Sequence, residues 1–81
     1  MIINKKVIQV KAIWDNEALV WVATSNDVPG LVTESENIEN LIQKLKIMIP
    51  ELLEANGMLL NSQHKEIPFN LLSERTEVAM S

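Results

Sequence analysis

No cysteine occurs in the 81 residues. That excludes a disulfide staple and a thiolate zinc site, so stability must come from packing or from association with other chains, and it fits a cytoplasmic protein. Glycine and proline are scarce as well, two and three. With 47% apolar residues, the composition is that of a folded globular chain and not of a disordered one. The opening Met-Ile-Ile-Asn-Lys-Lys is too short for a signal-peptide core. Proline or charge interrupts every apolar run before the ~18 residues of a membrane helix, so no membrane association is expected.

Basic residues are missing from one whole stretch. Between Lys11 and Lys44 the chain carries Asp15, Glu17, Asp27, Glu34, Glu36 and Glu39 and no Lys or Arg. Eleven acids against seven bases give a net charge of −4, the wrong sign for a protein that tracks phosphates. Direct nucleic-acid binding is therefore not expected, and a protein partner of the acidic stretch should be basic. The plainer alternative is a solvated acidic surface that only keeps the protein soluble.

The residues of catalysis are also thin. The single histidine, His64, lies beside Lys65 with no second His and no Cys to share a metal. The serines lack a nucleophile-elbow context, and two glycines cannot build a phosphate-cradling loop. The acid pairs Glu34 with Glu36 and Glu51 with Glu54 stand in polar surroundings, which gives nothing to separate their pKa values into acid and base roles. No catalytic, metal or cofactor-binding residue can be nominated, no cofactor is implied, and the chain is not expected to be an enzyme.

At this length a chain buries roughly 60% of its unfolded surface and forms one core, so residues 1–81 make a single domain. From 6 to 14 the residues alternate, with Ile8, Val10, Ala12 and Trp14 on one side and Gln9 and Lys11 on the other, the period of a half-buried strand. The turn-formers Asp15-Asn16-Glu17 lead to a second apolar run, 18–24, and the two runs predict an antiparallel hairpin. This second run is apolar on both faces, Leu19, Trp21 and Ala23 on one and Ala18, Val20 and Val22 on the other, which predicts a central strand. Asp27-Val28-Pro29-Gly30 predicts a turn aiming a third strand over 31–34.

A helix follows. With Leu45 at zero on a helical wheel, Ile38, Leu41, Ile42, Met48, Ile49, Leu52 and Leu53 fall within about 80° of it, while Glu39, Asn40, Gln43, Lys44, Pro50, Glu51 and Glu54 lie outside. Asn37 is the expected N-cap and Asn56-Gly57 the stop. Pro50, on the solvent side of the wheel, should bend the helix without ending it. A fourth strand is expected within 71–78, with Pro68 marking an edge or a connection. The fold class is α+β, a three-stranded antiparallel sheet with a fourth C-terminal strand, packed by one long Pro-kinked amphipathic helix in the order β-β-β-α-β.

The Asp27-Val28-Pro29-Gly30 turn before a short strand and an amphipathic helix, together with Trp21-Val22-Ala23-Thr24 and Met48-Ile49-Pro50-Glu51-Leu52-Leu53, resembles the HicB-like antitoxins, in particular a small branch without a DNA-binding tail. The resemblance covers about residues 8–72. It implies a partial ribonuclease-H-like sheet, self-association, and neutralisation of a small basic toxin that cleaves messenger RNA. Full HicB antitoxins append a helix-turn-helix or ribbon-helix-helix segment; the chain ends too soon to hold one, so operon repression is not expected.

The expected function is thus a HicB-like protein-binding module, an antitoxin or a relic of one, with Asp27, Glu34 and Glu36 meeting the basic partner. The alternative is a stand-alone oligomeric scaffold or small-ligand binder, with a pocket near Trp14 or Trp21. One helix covers one sheet face, so a homo-oligomer is expected to cover the other, through Leu19, Trp21 and Ile47.

Overall fold

The computed structural model of the protein describes residues 7–58 and 66–81; His64 and the lysines at 5, 6 and 65 lie outside them. β1 (Ile8–Asp15) and β2 (Val20–Thr24) form the hairpin, β3 (Val32–Ser35) follows the Pro-Gly turn, α1 (Ile38–Ala55) crosses the sheet, and β4 (Phe69–Glu74) ends it. The four strands form one mixed sheet in the order β3-β2-β1-β4. β1 is antiparallel to β2 and parallel to β4, and β2 is antiparallel to β3. The fold is α+β with elements in the expected order.

Ala12 and Ala23 are register partners, and both are fully buried on the face that the helix covers; the backbone of α1 comes nearest to β3 and β2. Leu41, Leu45, Ile49 and Leu53 face the sheet, one per helical turn, and with Ile8, Val10, Val28 and Leu31 they complete the core. The flanking Ile38, Met48 and Leu52 pack on this core partly buried. Burying a leucine side chain stabilises by ~1.5–3 kcal/mol, so this stripe is a main contributor to the core.

Both helix ends are sealed as the residue types imply. The Asn37 side chain accepts from the Asn40 N–H at 2.7 Å. At the other end Gly57, at φ 72°, donates to the Glu54 carbonyl, and Met58 donates to Leu53, the paired bonds of a Schellman stop. Pro50 does not break the helix, which runs unbroken from Ile38 to Ala55. Pro50 is partly buried, however, and with Ile49, Ile67 and Phe69 it lines a groove of about 200 Å³ beside the entry to β4. Its ring therefore borders that groove and is not fully exposed.

Three expectations need correction. Leu19 is not in a strand: the Asp15 carboxylate accepts from the N–H groups of Glu17 and Ala18, and Leu19 donates to the Asp15 carbonyl at φ 61°, so residues 16–19 form the hairpin loop. Trp21 is on the helix side of the sheet, packed against the core beside the buried Ala23, and does not lie on the uncovered face. β4 begins earlier than expected, because it pairs from Phe69 opposite Ile8 to Glu74 opposite Ile13.

Candidate protein-binding face

Side chains that share register partners share a face. Opposite the helix stand Gln9, Lys11, Ile13 and Asp15 from β1, Val20, Val22 and Thr24 from β2, Val32 and Glu34 from β3, and Asn70, Leu72 and Glu74 from β4. Ile13 is 48% exposed, Leu72 55% and Val32 65%. Ile13 is the direct partner of Val22, and Leu72, opposite Lys11 on β4, is its diagonal neighbour. The result is an apolar stripe across the middle of the open face, with polar residues around it.

Charges flank the stripe on this face. Lys11 and Glu74 pair at 3.4 Å, each about half exposed, which is worth little to stability at such exposure. Glu34 lies on the outer strand, and Glu36 follows it in the connection to α1; both are exposed. They line one shallow groove with Val20, Ser35, Asn40 and Lys44. Lys44 enters that groove to donate from Nζ to the Glu34 backbone carbonyl at 2.6 Å, so the acids there are partly balanced.

Asp27 belongs to a different structure. Its Oδ2 accepts from the Gln9 N–H at 2.8 Å, and the Ser25 hydroxyl donates to the Gln9 carbonyl at 2.6 Å. The last paired residue of β2 is Thr24, so these two side chains continue the ladder of β1 where the partner strand has turned away. Val28, fully buried, accepts at its carbonyl from the Leu31 N–H at 3.1 Å across Pro29 and Gly30, the latter at φ 85°. Pro second and a positive-φ glycine third define a type II turn. Asn56 Nδ2 donates to the Pro29 carbonyl at 3.2 Å, which ties the turn to the helix end. The Asp-x-Pro-Gly segment is thus a brace that joins β1, β3 and α1.

Of the sequence-nominated partner residues, Glu34 and Glu36 stand together and Asp27 stands apart in the brace. Of the nominated self-association residues, Ile47 is 62% exposed on the solvent side of α1, Leu19 is in the hairpin loop, and Trp21 is partly buried against the core. Trp14 and Trp21 are register partners in an edge contact at 5.4 Å. The Arg75 guanidinium lies 4.2 Å over the Trp14 ring, and that indole donates to Asn16 Oδ1, so the tryptophans have partners within the chain. Sequence reasoning missed Ile13 and Leu72. The signal was present for Ile13, an apolar residue in phase with the polar Gln9 and Lys11.

No group of three or more potential metal-ligating side chains occurs among the described residues, and no described helix is long and apolar enough to cross a membrane.

The chain is thus a small mixed sheet covered by one helix, with an apolar-centred face left open. The chain belongs to a family described as a domain of unknown function, DUF1902, whose model matches residues 7–80. It is also similar to a solved structure, hypothetical protein TTHA1013 from the extremely thermophilic bacterium Thermus thermophilus. The two share 47% identity over 94% of this chain and 100% of that one, with a TM-score of 0.68. No curated protein matches the chain.

Proposed function

We propose that the protein is a protein-binding module of the HicB-like kind, that it associates with itself, and that it docks a small basic RNA-cleaving toxin on the open face of its sheet. The observation that carries the reading is the stripe opposite the helix in which Leu72 and Ile13 are exposed beside the half-buried Val22. Contiguous exposed apolar surface on a small domain marks a docking site, and an apolar centre with a polar rim is the anatomy of protein interfaces. Glu34 and Glu36 supply the acidic side of that rim and favour a basic partner through encounter rate more than through final affinity. Binding, not chemistry, is the role these residues suit.

The reading is tested by capture from the native host at low salt with the full tagged chain, beside an Ile13→Lys variant. The expected result is a small basic protein retained by the wild type and lost by the variant. That protein cleaves messenger RNA, and added wild-type chain stops the cleavage. Retention of the same proteins by both baits, or cleavage unaffected by the chain, contradicts it.

A further inference from the structure

The two edges of the sheet are protected unequally. On β3 the residues paired with β2 through backbone bonds alternate with outward ones, and the register leaves Val32 and Glu34 facing out. The Glu34 carbonyl is occupied by Lys44, and the strand has only four residues. A short strand with a lysine at its rim is how natural sheets blunt an edge.

β4 has neither device. The Ile8 N–H donates to the Pro68 carbonyl at 3.0 Å, while the Gln9 backbone is engaged on the β2 side by Asp27 and Ser25. Alternation along the parallel ladder then turns the backbone groups of Asn70 and Leu72 toward β1 and those of Phe69, Leu71 and Ser73 outward. No hydrogen bond from another described segment reaches these outward groups. The strand runs six residues, Phe-Asn-Leu-Leu-Ser-Glu, without lysine, glycine or internal proline. The residues after it are exposed too, Val78 at 82% and Met80 at 90%.

We infer that β4 pairs antiparallel with β4 of a second copy, about a two-fold axis at Leu72, so that the two sheets become one. The sequence of the strand complements itself in that register. Leu72 meets Leu72, Asn70 stands opposite Glu74 and can donate its amide to the carboxylate, and Phe69 stands opposite Arg75. Leu71 and Ser73 exchange their outward N–H and C=O groups. No like charges face each other. A register centred on Leu71 would instead set Leu72 against Asn70 and Glu74 against Pro68, with no such complement. In the joined sheet both helices lie on one side, and the stripes of Leu72, Ile13 and Val22 from the two copies meet in a single larger apolar surface. The inference deepens the self-association in the reading above and is independent of any toxin.

The test uses the purified full chain, so its failure leaves the toxin reading standing. Sedimentation velocity at tens of micromolar compares wild type, Leu72→Lys and Val32→Lys. Both substituted residues are more than half exposed on the same face, but only Leu72 is at the axis. A dimer in the wild type and in Val32→Lys, weakened at least tenfold in Leu72→Lys, is expected. Because the chain has no cysteine, Leu72→Cys reads the register directly: opposed residues of a non-hydrogen-bonded antiparallel pair have Cα atoms ~4.5 Å apart, within disulfide reach. Mild oxidation should cross-link it at least tenfold faster than Val32→Cys. A monomeric wild type, equal cross-linking of the two cysteine variants, or a dimer broken by Val32→Lys and not by Leu72→Lys overturns the proposal.

Discussion

The two faces of the sheet are built from similar residue types and do different work. Under the helix, Ile8, Val10, Ala12 and Ala23 are closed off from water by Leu41, Leu45, Ile49 and Leu53. On the other side Ile13, Val22, Val32 and Leu72 have no such cover among the described residues. Both sets are apolar, so hydrophobicity alone does not say which face the helix takes. What separates them is the helix, whose Leu41, Leu45, Ile49 and Leu53 close one face only. The covered face holds the core, and the open face lies outside it.

If that division is right, substitutions on the two faces should differ sharply in stability. The largest effect is expected at Leu45, where truncation to alanine leaves a cavity under the helix and should cost ~2–5 kcal/mol; chemical denaturation with a two-state fit measures it. Asp27→Ala comes next. It strips the Gln9 N–H of its acceptor at the end of the ladder, at an expected ~1–3 kcal/mol, and amide exchange at Gln9 should speed up with it. Gly30→Ala forces a side chain into the left-handed region, for ~1–2 kcal/mol; its Cβ would meet Leu52 only at 3.9 Å, so conformational strain and not a clash is the cause. At the small end, Glu54→Ala on the solvent side of the helix should stay within about 0.5 kcal/mol. A thermal melt in which Glu54→Ala loses as much as Leu45→Ala would dissolve the distinction between the faces.

The helix is legible in the sequence because a 3.6-residue period summed over five turns is a strong signal, and its caps follow from Asn37, Asn56 and Gly57. The hairpin is legible from Asp15-Asn16-Glu17 between two apolar runs. The face assignment of β2 is not: Trp21 and Val22 are both large and apolar, and alternation alone cannot say which side the helix takes. The cue lies in a non-local pair, Ala12 with Ala23, which becomes visible only once the register is known. Local pattern places β4 two residues late, because its start is set by pairing with β1, far away in sequence, and not by anything nearby. The turn's role as a brace is hidden for the same reason: Asp27 acts on Gln9, across the β1–β2 hairpin. The open-face stripe crosses strands and has no contiguous signature.

The central claim is that the open face can be spoiled for docking without harm to the fold, and Ile13→Lys measured for both properties tests it most directly. The thermal midpoint should fall by no more than ~4 °C, the shift of a sub-kcal/mol change in a domain of this size. The basic protein retained by the wild type at low salt should be absent from the variant. A variant that unfolds, or one that stays folded and retains the same partner, contradicts the account.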